Sequence, residues 1–256
     1  MRADVFGVPL DLLTMTATVD RCVELVESGR ACQHVVINAG KVVLMHEQPL
    51  LREIVSACDL VNADGQSVVL AGRLLGVPVP ERVAGIDLME RLIGEAEIRG
   101  WPTYFLGARQ EVLDELLIVL QARHPALVIA GCQNGYFDDG APIATAIRDS
   151  GARLLFVGIA SPKKELFLAG HLAGMGPLLA MGVGGSFDVL AGRTKRAPKW
   201  MQQAGLEWIY RFAQEPRRMW KRYLVGNARF LVLFMREFWR VRLMRKTDTE
   251  APWRWR

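Results

Sequence analysis

The sequence predicts an α/β protein in which a mostly parallel β-sheet carries helices on both faces and a basic helical appendage follows. Short apolar runs alternate with amphipathic segments of helical spacing, and several of these runs end in glycine. The length of 256 residues suits one large domain with an appendage. Apolar residues make up 51% of the chain and charged residues 23%, an ordinary globular composition that argues against disordered, collagen-like and coiled-coil chains.

Six short apolar runs are predicted to form the strands of this sheet. They occupy residues 34–37, 60–62, 103–106, 127–130, 154–157 and 178–183. Predicted helices lie at 41–47, from the turn at 63–65 to residue 75, and at 110–123. This alternation is typical of βαβ units, whose parallel sheet is covered on both faces. Ligands of such sheets bind at the carboxyl ends of the strands, where helix N-termini offer N–H groups to phosphate, so a nucleotide-type ligand is expected.

One stretch is long enough to cross a membrane but is predicted not to do so. Residues 166–187 contain no Asp, Glu, Lys or Arg, and about 20 apolar residues in a helix span a bilayer. The stretch also contains His171, Pro177 and six glycines. We therefore predict a helix, a turn and the buried strand at 178–183.

The formal charge is unevenly distributed along the chain. Residues 1–192 carry 15 Lys and Arg against 22 Asp and Glu, a net charge of −7, whereas residues 193–256 carry 17 against 5, a net charge of +12. Six of the seven tryptophans lie in the same C-terminal segment. A basic, aromatic segment of this kind is attracted to anionic lipid, polyphosphate or nucleic acid. We divide the chain into a globular domain, 1–195, and a basic tail, 196–256.

Two helices are predicted in the tail. The first spans 203–212, and the second is opened by Pro216 and continues to about residue 245, with Gly226 as a candidate break. If the second helix is continuous, five arginines fall on one face of it. These are Arg218, Arg222, Arg229, Arg236 and Arg240.

Cysteine and histidine usage argues against a metal centre. The four cysteines lie far apart without a C-x-x-C motif, and the four histidines lack ligand spacing. We therefore expect no metal site, no disulfide scaffold and a reducing, cytoplasmic compartment. Asp4 and Asp11 interrupt the N-terminal segment, which lacks the apolar core of a secretory signal.

Two charged side chains near predicted strand ends are candidates for chemistry. Asp64 directly follows a strand, which suits a general base or a ligand anchor. The alternative is a turn aspartate that hydrogen-bonds its own backbone before Gly65. Arg82 precedes a glycine and a helix, where it could bind a phosphate with two nitrogens or simply form a surface ion pair with Glu81 or Asp87.

Two further segments could serve either a binding role or a structural role. Pro162 is expected to open a helix with Lys163 and Lys164 in its first turn, where cations oppose the helix dipole, and an anionic ligand there would offset that cost. The run from Gly182 to Gly185 is a partial dinucleotide fingerprint. A tight turn after a buried strand explains it better than a bound cofactor.

The ordered set of motifs resembles the WecG/TagA/CpsF family of bacterial glycosyltransferases, glycosyltransferase family 26, from about residue 5 to residue 222. Each motif alone is weak, but their order and spacing together are specific. In the first half of the chain they are Asn38-Ala39-Gly40-Lys41, Asn62-Ala63-Asp64-Gly65, Glu81-Arg82-Val83-Ala84-Gly85-Ile86-Asp87 and Tyr104-Phe105-Leu106-Gly107. In the second half they are Gly135-Tyr136-Phe137, Pro162-Lys163-Lys164-Glu165, Gly182-Val183-Gly184-Gly185, Phe187-Asp188, Ala191-Gly192, Arg196-Ala197-Pro198, Gly205-Leu206-Glu207-Trp208, Tyr210-Arg211 and Glu215-Pro216-Arg217-Arg218.

This resemblance implies a fold, an activity and a set of site residues. The implied fold is Rossmann-like, of the type called GT-E, with a C-terminal helical appendage for membrane attachment and completion of the active site. The implied reaction transfers a hexosyl unit, often N-acetylmannosamine, from a UDP-sugar to an undecaprenyl-diphosphate-linked sugar, without a metal or other cofactor. Asp64 would be the catalytic base, and Arg82 would contact the diphosphate. The other implied substrate-binding residues are Asn38, Gly107, Lys163, Lys164, Glu165, Gly184, Arg211, Arg217, Arg218 and Arg222.

Two positions depart from the family's pattern. Val36 stands where the family often has Thr, and Lys164 stands where it often has Gln. Because a hydrogen-bonding amide has become a cation, a glucosyl-type donor is an alternative to N-acetylmannosamine. The product would enter exopolysaccharide, capsule or teichoic acid.

We therefore predict an inverting glycosyltransferase on the inner face of the bacterial plasma membrane. Its expected partners are the UDP-sugar, the lipid-linked acceptor and an anionic membrane surface, but no nucleic acid. A homo-oligomer is left open. The alternatives are a non-enzymatic membrane or nucleic-acid adaptor that uses the basic tail, and a Rossmann oxidoreductase, which the broken fingerprint disfavours.

Overall fold

The described part of the chain contains one parallel sheet and one small antiparallel hairpin. A computed structural model describes residues 1–203, 205–214, 216–220 and 224–244. The hairpin consists of β1 (Arg2–Val5) and β2 (Val8–Asp11). The sheet consists of β3 (Cys32–Ile37), β4 (Leu60–Ala63), β5 (Thr103–Gly107), β6 (Ile129–Gln133), β7 (Leu154–Gly158) and β8 (Leu179–Gly182). Its strand order is β4-β3-β8-β7-β5-β6, and all neighbouring strands are parallel.

Helices connect the strands and form the C-terminal part of the described chain. Up to β8 they are α1 (Met15–Glu27), α2 (Ala39–Glu47), α3 (Pro49–Ser56), α4 (Gln66–Leu74), α5 (Gly85–Arg99), α6 (Gln110–Arg123), α7 (Ala141–Asp149) and α8 (Lys163–His171). After β8 they are α9 (Ser186–Leu190), α10 (Lys199–Gln203), α11 (Glu207–Gln214), α12 (Pro216–Trp220) and α13 (Gly226–Met244).

Helices cover both faces of the sheet, as predicted. Along β7 the buried side chains alternate: Leu154 and Phe156 join a core with α1, α5 and α6, whereas Leu155 and Val157 join a core with α7 and α8. Truncating a buried Phe such as Phe156 costs about 3–5 kcal/mol. The Rossmann-like α/β prediction is therefore confirmed.

Two details of the sheet differ from the sequence-based predictions. The hairpin β1–β2 was not predicted, because its two strands have four residues each and interrupt their apolar pattern with charges and a proline. Strand β6 spans Ile129–Gln133 rather than 127–130, so it continues past Gly131. A Cβ atom at Gly131 would lie 2.6 Å from Cε2 of Tyr104, so this glycine marks a close contact inside a strand and not its end.

The long uncharged stretch folds as predicted. It contains most of α8, a 3₁₀ turn (Leu172–Gly174) and β8. Among the residues that the structure describes, no helix is both long and apolar enough to cross a membrane.

The tail helices differ from prediction in their limits. The first predicted helix, 203–212, is found at Glu207–Gln214. The second, predicted from 216 to 245, is found as α12 and α13, and residues 221–223 between them lie outside the described residues. Gly226, the candidate break, is the first residue of α13.

Helix α13 packs against the globular part of the chain. Phe230 is buried beside Phe6, with ring centroids 5.4 Å apart, and Arg229 Nη1 lies 2.5 Å from Glu47 Oε1 on α2. One face of this tail helix is therefore docked on the body. The division into two domains stays a prediction.

Candidate functional site

The carboxyl ends of the parallel strands bring several predicted site residues to one edge of the sheet. Asn38 follows β3, Asp64 follows β4 and Gly184 follows β8, and these three strands are neighbours. Asn38 caps α2, because its side chain accepts a hydrogen bond from the backbone N–H of Lys41 at 3.0 Å. A Cβ atom at Gly65 would lie 3.4 Å from Cα of Asn38, so the two loops are in contact beside Asp64.

The carboxylate of Asp64 points away from its own turn. Its backbone N–H is fixed by Ile37 O at 2.8 Å. Its side chain interacts with Arg82 and with the backbone N–H of Gly85, the first residue of α5. The structure thus favours a carboxylate presented to the edge of the sheet at a helix N-terminus over a self-capping turn residue.

The surroundings of Asp64 suit a proton acceptor. Its side chain keeps 27% of its surface accessible, so a substrate can reach it. Burial raises the pKa of this carboxyl, and the nearby charge of Glu207 raises it further, while Arg82 and the Gly85 N–H oppose the shift. A carboxylate with a raised pKa holds an abstracted proton better near neutral pH than an ordinary aspartate.

Arg82 is directed into the site rather than to the surface. Its Nε donates to the backbone oxygen of Asp64 at 2.7 Å and lies 3.6 Å from Asp64 Oδ1. Its Nη2 donates to Glu207 Oε2 at 2.7 Å. The surface ion pair considered from the sequence is wrong, because Glu81 accepts a hydrogen bond from Met15 and Asp87 pairs with Arg196.

Arg196 and Glu207 belong to this network although sequence reasoning did not select them. Arg196 Nη1 lies 2.5 Å from Asp87 Oδ1, and Arg196 Nε lies 3.6 Å from Glu207 Oε1. Arg196 occurs in the motif Arg196-Ala197-Pro198, and Glu207 occurs in Gly205-Leu206-Glu207-Trp208. The resemblance of these motifs to the family's pattern was the sequence signal that could have selected both residues. Nothing in the sequence itself paired Arg196 or Glu207 with Arg82.

A second charged cluster is buried between α2 and α8. Lys41 Nζ donates to Glu165 Oε1 at 2.7 Å, and the exposed fractions of these side chains are 6% and 1%. Ser161 Oγ also donates to Glu165 Oε1, at 2.9 Å, and accepts from Lys164 Nζ at 3.0 Å. Lys41 was not selected as a site residue from the sequence, although it occurs in the motif Asn38-Ala39-Gly40-Lys41.

The cluster explains how α8 tolerates lysines in its first turn. Burial alone would raise the pKa of Glu165, but the charges of Lys41 and Lys164 outweigh it and hold that pKa below its usual value. Glu165 thus supplies an internal negative charge 3.6 Å from Lys164. Lys163, by contrast, is exposed.

The side chain of Lys164 packs against the end of β8. A Cβ atom at Gly182 would lie 2.6 Å from Cε of Lys164, so the lysine stem runs across this glycine. Glu165 Oε2 is buried and has no hydrogen-bond partner among the described residues. Two lysines and one glutamate therefore leave a net positive charge near the ends of β3, β7 and β8.

Two glycines of the predicted site are required by the backbone. Gly107 has φ +129°, and a Cβ there would lie 2.5 Å from the carbonyl carbon of Gly158. Gly184 has φ +55°, the left-handed conformation of a tight turn. This turn supports the interpretation of the partial fingerprint as a structural feature.

The tail arginines are only partly described. A Cβ atom at Gly185 would lie 3.5 Å from Nη2 of Arg211, so Arg211 reaches the turn after β8. Arg217 is exposed on α12. Arg218 lies in the same helix, and Arg222 lies outside the described residues. Of the five arginines expected on one helix face, Arg229, Arg236 and Arg240 are on α13 and exposed.

No metal-binding arrangement is found in the part of the chain that the structure describes. No group of three or more His, Cys, Asp or Glu side chains there is placed to hold an ion. The four cysteines, Cys22, Cys32, Cys58 and Cys132, form no disulfide.

Comparison with known proteins assigns this site to a family. The model of the glycosyl transferase WecG/TagA/CpsF family matches residues 3–244, almost the whole chain. The chain belongs to this family. Membership confirms the predicted resemblance and the glycosyltransferase class, and the adaptor and oxidoreductase alternatives are wrong.

A named relative supports the same assignment. An N-acetylglucosaminyldiphosphoundecaprenol N-acetyl-beta-D-mannosaminyltransferase of Bacillus spizizenii is 34% identical over 178 residues, which cover 70% of this chain and 69% of the relative. The roles of the individual site residues stay predictions.

Proposed function

We propose that this family member transfers a hexosyl unit from a UDP-sugar to an undecaprenyl-diphosphate-linked sugar with inversion at the anomeric carbon. The observation that carries the proposal is the placement of Asp64, a reachable carboxylate of raised pKa at the N-terminus of α5, directly beside Arg82. The name of the Bacillus relative supports the lipid-diphosphate acceptor.

In the proposed reaction Asp64 removes the proton from the attacking hydroxyl of the acceptor. The freed oxygen forms the new bond to the anomeric carbon, and the bond from that carbon to the diphosphate breaks. UDP leaves with the bonding electrons, and Arg82 and Arg211 stabilise the negative charge that develops on it. Cationic side chains take the part that a metal ion plays in other transferases, so we propose that no metal or cofactor is needed.

The donor is proposed to be UDP-N-acetylmannosamine, by analogy with the name of the relative. A UDP-glucose-type donor is the second candidate, favoured by one observation. Lys164, at the position where the family often has Gln, places a positive charge beside Ser161, with its stem against Gly182 at the end of β8.

We further propose that the chain binds the inner membrane surface peripherally through its tail. Trp200, Trp220, Val232 and Trp239 are exposed large side chains of the tail helices. Val232 and Trp239 lie on α13, which also carries exposed arginines. Basic residues near an anionic leaflet contribute about 1 kcal/mol each, and apolar side chains add reversible anchoring.

The proposed activity is tested by transfer of radiolabel from a panel of UDP-hexoses to a short-chain prenyl-diphosphate-linked N-acetylglucosamine. We expect label in the lipid extract, and NMR of the product is expected to show the inverted anomeric configuration. Label that stays in the aqueous phase with every donor, or a product of retained configuration, would contradict the proposal.

A further inference from the structure

Glu207 is a residue of the tail whose carboxylate contacts Arg82 in the site. It is the first residue of α11, and its two oxygens are directed to two different arginines. Oε2 accepts from Arg82 Nη2 at 2.7 Å, and Oε1 lies 3.6 Å from Arg196 Nε. The side chain of Glu207 is 27% accessible, and those of Arg82 and Arg196 are 18% and 22% accessible, so this bridge is largely shielded from water.

The bridge joins five charged groups, whose net charge is −1 when all of them are ionised. The group contains the carboxylates of Asp64, Asp87 and Glu207 and the guanidinium groups of Arg82 and Arg196. Each arginine has one carboxylate on the body, Asp64 for Arg82 and Asp87 for Arg196, and both share Glu207. Arg196 Nε and Nη2 are buried and have no hydrogen-bond acceptor among the described residues, and Nε lies 3.6 Å from Glu207 Oε1.

The position of Glu207 also sets the position of Arg211. Residues four apart on a helix lie on the same face, about 6 Å apart. Glu207 contacts Arg82 near the end of β4, while Arg211 reaches Gly185 after β8, two strands away in the sheet. The first turn of α11 therefore lies across the ends of these strands, with Glu207 as its anchor.

We infer that Glu207 is a positioning residue, which holds Arg82 beside Asp64, links Arg82 to Arg196 and couples docking of the tail to the state of the catalytic base. This inference rests on the proposed function, because it assumes that Asp64 and Arg82 act on the substrate. It assigns a role to a residue that would not touch the reacting atoms.

Removing the charge of Glu207 is expected to change the pKa of Asp64. The groups facing that carboxylate are Arg82, Glu207 and the N–H of Gly85. In Glu207→Gln the repulsion from Glu207 disappears, while Arg82 Nε keeps its hydrogen bond to the backbone oxygen of Asp64 and stays beside the carboxylate. The pKa of Asp64 is therefore lowered, so the acidic limb of the pH profile of kcat/KM is expected to move to lower pH. Loss of packing alone would not move this limb in that direction.

The experiment compares three full-length variants with the wild type. Glu207→Gln is expected to lower kcat/KM about 10²-fold, since small misplacements of catalytic groups cost that much, and to move the acidic limb to lower pH. Glu207→Asp keeps the charge and is expected to restore the position of the limb. Glu115→Gln is the control, because Glu115 lies on α6 and forms an exposed pair with Arg193, and its profile is expected to match the wild type. A Glu207→Gln profile that overlays the wild type would overturn the inference.

A second measurement separates this inference from the proposed activity. A double-mutant cycle between Glu207→Gln and Arg82→Gln, read from the free energy of unfolding, tests the bridge without any turnover. A positive coupling is expected, and additive effects would overturn the inference. A wild-type chain that transfers no sugar would refute the proposed function, while the coupling would still decide whether Glu207 holds Arg82.

Discussion

Lys41 and Glu165, which are 124 positions apart in the sequence, form a buried ion pair with 2.7 Å between Nζ and Oε1. Removing the carboxylate of Glu165 leaves the buried ammonium group of Lys41 uncompensated, which costs about 3–5 kcal/mol. We expect Glu165→Gln to lower the free energy of unfolding by that amount in chemical denaturation. Glu115→Gln is the control, because its pair with Arg193 is exposed and pairs of that kind contribute about 0–1 kcal/mol. Equal effects of the two substitutions would contradict a buried pair.

His34 is predicted to make the protein sensitive to mild acid. Burial lowers the pKa of this imidazole from 6.5 to about 4, while its hydrogen bond to Asn62 Oδ1 opposes the shift. A pKa that is lower in the folded state stabilises the protein fully above the unfolded value, and this stabilisation is lost as the pH falls from 6.5 towards 4. The loss amounts to about 3 kcal/mol at 1.36 kcal/mol per pKa unit.

The measurement is the free energy of unfolding of the wild type and of His34→Gln at several pH values from 7 to 4. The variant keeps a side-chain donor for Asn62 but has no titrating group, so its curve is expected to be flatter across this window. Parallel curves would show that another group causes the acid sensitivity.

Lys164 is predicted to determine donor preference. Its ammonium group donates to Ser161 Oγ and lies 3.6 Å from Glu165, and its stem runs across Gly182 at the end of β8, so its replacement changes the charge at this edge of the sheet. We expect Lys164→Gln to change the ratio of kcat/KM values across a panel of UDP-hexoses, in favour of the N-acetylated donor. Lys164→Arg retains the charge and is expected to preserve the wild-type ranking. An unchanged ranking in Lys164→Gln would remove Lys164 from donor selection.

The exposed apolar side chains of α13 are predicted to anchor the chain to membranes. Val232 and Trp239 are 67% and 55% exposed. We expect the intact chain to float with vesicles that contain phosphatidylglycerol and to be released by high salt, because surface charges are screened. Replacing both residues by Ser is expected to weaken flotation. Ile118→Ser is the control, because Ile118 is 70% exposed on α6, outside the tail. Equal loss in the control, or no binding by the intact chain, would contradict the proposal.

Local sequence patterns predicted most strands of the sheet but few of the contacts between side chains of the site. The central strand β7 buries both faces and therefore appears as a continuous apolar run, Leu154–Gly158. The pairing of Lys41 with Glu165 depends on two helices that follow strands far apart in the sequence, and no local pattern encodes it. Arg82 was selected as a site residue from the sequence, but its partner Glu207 lies in the tail, where charge composition suggested only a membrane or polyanion surface.

The central claim is that Asp64 is the base of a sugar transfer, and Asp64→Asn tests it most directly. The amide keeps the size of the side chain but cannot take the proton, and a general base contributes about 10²–10⁴-fold to the rate. We expect turnover of the UDP-sugar with the lipid-linked acceptor to fall by that factor, while the Kd for UDP in calorimetry stays unchanged. Asp20→Asn, an exposed substitution on α1, is expected to be as active as the wild type. Near-wild-type turnover in Asp64→Asn would contradict the account.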